Sequence, residues 1–281
     1  MDSLVFAAVL LAAAAHAGWN ATIKRGLDPL VMTVLIAAGA GVIALPILAW
    51  GGLPAASARP WVIASVLVHL GYFVGLIEAY RRGDLSQVYP IARGAAPLLT
   101  AGVSTLWLGE RLGAVGWIGL LGLVAGVLML SLGGGGDLGR LDRRAVGFAL
   151  FTALTVCAYS VIDGVGVRAA GDPVVYAAAL FVGNGLVMTL YGLARRGPRV
   201  MAAASTDWRR SLTGGGLQVA SYAVALWAMT RAPIAVVAAL RETSVLFGAL
   251  IAVAILKERV GPVRVLAAVL IVAGLVLIRI H

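Results

Sequence analysis

A chain of 281 residues that is 61% hydrophobic and only 12% charged cannot be an ordinary soluble domain, whose usual shares are roughly 45–50% and about 25%. With a mean hydropathy of +0.99, lipid must solvate much of its surface. The net charge of +10 does not point to nucleic acid, because Lys and Arg gather in short loops between apolar runs instead of forming a basic domain.

A helix needs about 20 residues to cross the hydrocarbon core. Spans are predicted over 4–23, 29–50, 61–80, 86–108, 113–132, 145–167, 173–193, 211–230, 233–256 and 262–280. Turn and helix-start signals separate them: Asp28-Pro29, Arg59-Pro60, Gly83-Asp84, Asp172-Pro173 and Gly197-Pro198. The first span carries Ala13, Ala15 and Ala17, which resemble a signal-cleavage site. Asp2 stands where a signal would be basic, however, and the apolar run continues through Trp19 and Ile23. It is read as a retained span.

Polar side chains inside such spans are costly, about 2.5–3.5 kcal/mol for a charge at mid-span, and are candidate functional groups for that reason. On the first span His16, Asn20 and Lys24 follow an i, i+4, i+8 stripe. His16 is deep enough to face a cavity and to exchange a proton near neutral pH; the alternative is a hydrogen-bonded packing residue. Lys24 lies at the membrane end, where it can snorkel. On the third span His69, Tyr72, Phe73, Leu76 and Tyr80 share a face, while Glu78 falls off it near Arg81 and Arg82 and reads as an interfacial ion pair.

The fourth span places Arg93 deep among apolar residues, with Tyr89 one turn earlier beside Pro90 and placed to orient it. Glu110, beside Arg111 at the end of that span, reads as a structural loop ion pair. Gly122 and Gly126 make a GxxxG in the fifth span, suited to close packing or to dimerisation. Residues 133–144, GGGGDLGRLDRR, form the widest polar break. Beyond it the sixth span holds Asp163 and the sole cysteine, Cys157, so no internal disulfide can form. Asp163 could line a cavity or tie helices together. Gln218, Tyr222 and Trp227 follow on the eighth span, where aromatic rings can clasp a cation or simply pack. Trp61, Trp107, Trp117 and Trp208 read as packing or interface anchors.

The ninth span carries Arg241 and Glu242 side by side. About 100° of helix separates adjacent side chains, so these two diverge and cannot pair well with each other. Arg offers a planar fork of donors for a carboxylate or phosphate; Glu242 could hold a substrate amine or carry a coupling proton. For Arg93 and Arg241 the competing reading is a structural salt bridge, with Glu242 or Asp163 as partner.

The chain also repeats itself. Arg93 precedes Glu110 by 17 positions and Arg241 precedes Glu258 by the same 17, with GER at 109–111 answered by KER at 257–259. The Asp-Pro pairs at 28 and 172 recur likewise, as do Asn20 and Asp163. The reading is a first repeat over 1–132, a linker over 133–144 and a second repeat over 145–281. Five spans per half is an odd number, which forces the halves into opposite orientations. Inverted repeats of this kind typify secondary transporters, with the site near the midplane at the repeat interface. Fifteen basic residues fall in one set of loops and five in the other set with the termini. The positive-inside rule then puts both termini outside.

HAGWN at 16–20, GDLSQVYPIARGAAPLL at 83–99, LGER at 108–111, ALRETSVLFGALIA at 239–252 and LKER at 256–259, in that order and spacing, resemble the drug/metabolite transporter superfamily and its EamA-type members. The resemblance covers nearly the whole chain. It implies an all-α integral membrane protein of ten transmembrane helices in two inverted five-helix repeats. It further implies alternating access and a central cavity lined by spans 1, 3, 4, 6, 8 and 9. Family substrates include amino acids, nucleotide sugars, organic phosphates and quaternary amines. Relatives with both termini in the cytoplasm differ from the orientation the charge count gives here.

An intramembrane enzyme would need a nucleophile–base set or a metal cluster. With 3 His, 1 Cys, no HExxH and no GxSxG, that class is set aside. No metal and no cofactor are expected. The reading is an inner-membrane, multi-pass exporter of amino acids or similar zwitterions. His16, Asn20, Tyr72, Tyr89, Arg93, Asp163, Tyr222, Arg241 and Glu242 are its candidate substrate-binding residues. The alternative is a carrier of a phosphorylated, phosphonate or quaternary-amine metabolite. Expected partners are the small-molecule substrate and membrane lipid, without nucleic acid, for a monomer or homodimer. The orientation is directly testable: a reporter active only in the periplasm, fused after His281, should be active. Activity from a cytoplasmic reporter alone would reverse the topology.

Overall fold

The computed structural model describes the backbone of residues 1–23, 28–82, 85–132, 143–256 and 261–280. It describes the side chains of 1–20, 28–78, 93–130, 144, 146–203, 206–250 and 261–280. Twelve helical segments are described: α1 Ser3–Ile23, α2 Pro29–Gly51, α3 Arg59–Arg82, α4 Leu85–Trp107, α5 Ala114–Leu132, α6 Arg143–Ala169, α7 Pro173–Arg196, the single turn α8 Arg199–Ala202, α9 Ala204–Met229, α10 Ile234–Arg241, α11 Ser244–Leu256 and α12 Pro262–Ile280. Among the described residues there is no strand. Six of the helices, α1, α2, α3, α6, α7 and α12, are long and apolar enough to cross a membrane by length and composition.

The helix starts follow their local chemistry. Asp28 and Asp172 each cap a helix whose first residue is Pro, accepting from the backbone N–H of Leu30 at 2.9 Å and of Val174 at 2.7 Å. Pro lacks the N–H that would be orphaned there, and the aspartate satisfies the next one. Asp28 also pairs with Arg196 at 2.7 Å, joining the start of α2 to the end of α7.

One predicted element is divided. The apolar stretch 233–256 reads as one helix, but it is α10 followed by α11, with Glu242 and Thr243 in the turn between. The last turn of α10 tightens: Glu242 N–H donates to Ala239 O and Thr243 N–H to Leu240 O, three residues back instead of four. The Thr243 hydroxyl donates to the same Leu240 carbonyl at 2.7 Å. A mid-helix tightening of this type interrupts the ladder, and hydropathy cannot register it.

The packing runs in pairs. α2 lies along α7, α5 along α12, α3 along α6, and α1 along α9. Between lipid-solvated helices no hydrophobic force drives association, so close packing at small residues must supply it. At the α5–α12 crossing a Cβ on Gly274 would stand 2.6 Å from the Gly119 carbonyl and 2.7 Å from Leu123 N, and one on Gly126 2.8 Å from the Ala267 carbonyl. The glycine pattern of the fifth span thus serves an approach within the chain. Trp107 and Trp208, 84% and 52% exposed at helix ends, hold positions suited to anchors at a membrane interface.

Gly274→Val should therefore lower the unfolding temperature in detergent, at an overpacking cost of about 1–3 kcal/mol. Gly102→Ala, where no atom lies within 4 Å of the added carbon, should leave it unchanged or raise it slightly. Equal behaviour of the two variants would remove the role assigned to the α5–α12 contact.

Candidate functional site

Where α1, α3, α4, α6, α9 and α10 meet, the polar side chains of the spans collect in one buried cluster. Arg93 on α4 reaches across the halves: its Nε lies 2.8 Å from Glu242 Oε2, and its Nη2 donates to Ser244 Oγ at 2.7 Å. The Nε–H is not aligned on that carboxylate oxygen, so the contact is an ion pair more than a directed hydrogen bond. All three partners are under a tenth exposed. The break between α10 and α11 makes this possible, because it turns Glu242 and Ser244 toward α4 while Arg241 closes α10.

Arg241 is also buried, at 7% exposure. Its guanidinium carbon sits 4.6 Å from the centroid of the Tyr222 ring, and the guanidinium is also within hydrogen-bond reach of the Tyr159 hydroxyl. Its Nε has no hydrogen-bond partner. Among the described residues no carboxylate lies within ion-pair distance of it. The structure thus separates two residues that the repeat makes equivalent: Arg93 has an internal carboxylate, and Arg241 has an aromatic face.

Asp163 on α6 is wholly buried. Tyr176 donates to its Oδ1 at 2.9 Å and Tyr222 to its Oδ2 at 2.5 Å. Ser65 and His69 of α3 lie alongside. His69 Nδ1 is 2.9 Å from the Ser65 carbonyl and 3.1 Å from its hydroxyl. Its ring stacks on Tyr159, with centroids 4.1 Å apart and planes at 24°. Tyr72 stands edge-on to Tyr159 at 5.7 Å, and Phe181 edge-on to Tyr222 at 6.4 Å. The result is a wall of aromatic rings with a carboxyl group behind it and an arginine in front.

The other candidates divide. His16 is buried within electrostatic reach of Arg93 and Arg241. Its Nδ1 accepts from the Trp19 indole N–H at 3.2 Å, which leaves Nε2 to carry the proton of a neutral ring. The Asn20 amide donates back to the His16 carbonyl at 2.9 Å, a bond within its own helix and not one between helices. The side chains of Tyr89, Lys24, Tyr80 and Glu258 lie outside the described residues. Glu110 pairs with Arg168 of α6 at 2.8 Å, not with its sequence neighbour Arg111. That arginine also donates to the Met229 and Ala232 carbonyls, fastening the turn between α9 and α10.

Tyr159, Tyr176, Ser65 and Ser244 complete the cluster without having been nominated, and His69 joins it from the face already noted on the third span. Tyr159 and Asp163 are one turn apart on α6, a spacing that sequence alone displays. Tyr176 and Ser244 carry no such signal, since each meets its partner only through the fold. Among the described residues no group of three or more His, Cys, Asp or Glu side chains could hold a metal ion.

The sequence profile described as the EamA-like transporter family matches residues 3–132 and again 143–280. The spermidine export protein MdtI of Enterobacter sp. (strain 638) is 36% identical over 75 residues, 26% of this chain and 69% of that protein. The same figures hold for its counterpart in Yersinia pestis (strain Pestoides F). A crystal structure of a protein aligns with a TM-score of 0.77 at 19% identity, covering 98% of this chain and 95% of the other. That likeness speaks for the fold.

Removing one member of a buried ion pair strands the other, at a cost of about 3–5 kcal/mol, whereas replacing both by apolar residues is often neutral. Glu242→Leu should therefore depress the unfolding temperature strongly, and Arg93→Met with Glu242→Leu should recover most of the loss. Additive losses in the double variant would show that the pair is not the structural unit described.

Proposed function

This chain belongs to the EamA-like transporter family, and from that membership we propose that it is an alternating-access secondary transporter that exports an amphipathic zwitterion of the amino-acid type. The observation that carries the reading is Arg241, a buried guanidinium with an orphan Nε and no carboxylate partner among the described residues. Such a group is placed to receive an anion, and its planar fork matches a carboxylate. Glu242 and Asp163 supply the opposite sign for an amine, and the rings of Tyr72, Tyr159 and Tyr222 supply an apolar and cation-tolerant wall.

Ten crossings in two inverted repeats fit the packing. The first helix of each half lies along the third of the other, α1 with α9 and α6 with α3. The second helices pair with each other, and so do the fifth, α5 with α12. The broken span α10–α11 supports the same reading, because discontinuous helices commonly bear the site in inverted-repeat carriers. Every charged member of the cluster is buried, so a substrate requires the halves to open.

A second reading has one observation in its favour. The relatives matched over 26% of this chain are spermidine export proteins. A polyamine would use Asp163, Glu242 and the aromatic wall, with Arg241 opposing it. A phosphorylated substrate is disfavoured, because Glu242 already stands against Arg93.

Purified protein in liposomes, assayed with labelled amino acids and with spermidine, should give saturable uptake of an amino acid. Arg241→Lys should then reduce flux roughly tenfold or more, since the charge stays but the bidentate contact goes. Its unfolding temperature should remain near wild type. Flux of spermidine alone would replace the reading with the second one, and undiminished amino-acid flux in Arg241→Lys would remove Arg241 from the site.

A further inference from the structure

Tyr222 touches two charged groups that do not touch each other. Its hydroxyl donates to Asp163 Oδ2 at 2.5 Å, and its ring face lies 4.6 Å from the Arg241 guanidinium carbon. Among the described residues no ion pair joins Arg241 to Asp163. We propose that Tyr222 is a positioning residue that links the charge on Asp163 to the placement of the Arg241 guanidinium, so that proton uptake by the carboxyl group and anion capture by the arginine are coupled. Its meaning for transport rests on Arg241 being the anion-holding residue.

The physical route is short. A phenol that donates to a carboxylate pushes electron density into its ring, and a cation over the face is held by that density. While Asp163 is an anion, the ring holds Arg241 firmly. Once Asp163 is neutral, the Tyr222 hydroxyl loses its charged acceptor, the face weakens, and the guanidinium is freer to leave it for a carboxylate. Linkage makes the effect reciprocal: an anion that draws Arg241 from the ring favours the neutral form of Asp163.

The other groups around the carboxyl group are few. Ser65 and His69 face it from α3, Tyr176 from α7, and Tyr159 lies one turn earlier on α6. The His69 imidazole is a second proton-accepting group among them, and it lies within electrostatic reach of Arg241 as well as Asp163. A test must therefore read Asp163 itself.

Infrared difference spectroscopy on the full-length protein in lipid can do so without a substrate, by following with pH the protonated-carboxyl band that Asp163→Asn abolishes. Arg241→Gln should raise the pH midpoint of that band by about fivefold in proton concentration, the order of magnitude of a cation–π contact. In a Tyr222→Phe background the same Arg241→Gln change should give a clearly smaller shift, the remainder being direct attraction between the two charges. Equal shifts in both backgrounds, or none in either, would overturn the proposal. The first would mean that Arg241 acts on Asp163 through space. Should Tyr222→Phe fail to reach the membrane, 3-fluorotyrosine at 222 keeps the ring and strengthens the donor. The Arg241→Gln shift must then differ from that with tyrosine, and an unchanged shift overturns the proposal equally. Because no substrate enters, a carrier that moved no zwitterion would fail the flux assay and still decide this one.

Discussion

A charge that leaves water for the interior of a helical bundle must be met by another charge, by hydrogen bonds, or by a polarisable face. Arg93, Arg241, Asp163 and Glu242 all lie under a tenth exposed, and each is met differently. Arg93 takes a carboxylate and a hydroxyl, Asp163 takes two tyrosine hydroxyls, and Arg241 takes an aromatic ring. The packing around them follows from this need. α10 stops at Arg241 so that Glu242 can face α4, and α7 contributes Tyr176 only thirteen residues along the chain from Asp163. Two carboxyl groups and two guanidinium groups thus share the cluster.

The unequal treatment of the two arginines has functional content. A guanidinium already paired with Glu242 must give up that carboxylate to bind an anion, whereas one held by a ring gives up a weaker contact. On the proposed reading a substrate carboxylate would load more easily at Arg241, while Arg93 ties α4 to the α10–α11 turn. A zwitterion could exchange partners with such a network without leaving any charge bare, a condition that a dianion would break.

Much of this was legible beforehand, for definite reasons. Hydropathy marks the helices because lipid tolerates little else at that length, and Asp28-Pro29 and Asp172-Pro173 mark their starts because the cap chemistry is local. Arg93, Arg241, Asp163 and Glu242 stand out because charge is rare in such spans. Three things were not legible. The break at Glu242–Thr243 arises from three-residue hydrogen bonds inside a stretch long enough to read as one span. Asn20 looked like the counterpart of Asp163 by position, but its amide turns to the His16 carbonyl of its own helix. Glu110 looked like a partner for an adjacent residue, yet it meets Arg168, 58 positions away. Long-range pairings of this kind are decided by how helices stack, and neither composition nor spacing encodes that directly.

Arg168 sets the two ends of the polar network apart in one more respect. Its side chain is 38% exposed, whereas Arg93 is 8% exposed, although both hold a glutamate at 2.8 Å. Dissolved ions screen charges in contact with water within about 8–10 Å and leave a dry pair nearly untouched. The rim clasp between Arg168, Glu110 and the α9–α10 turn therefore softens as the surrounding solution becomes saltier, while the central pair does not. The clasp at Arg168 thus senses the ionic strength around it, set against an interior that is blind to it.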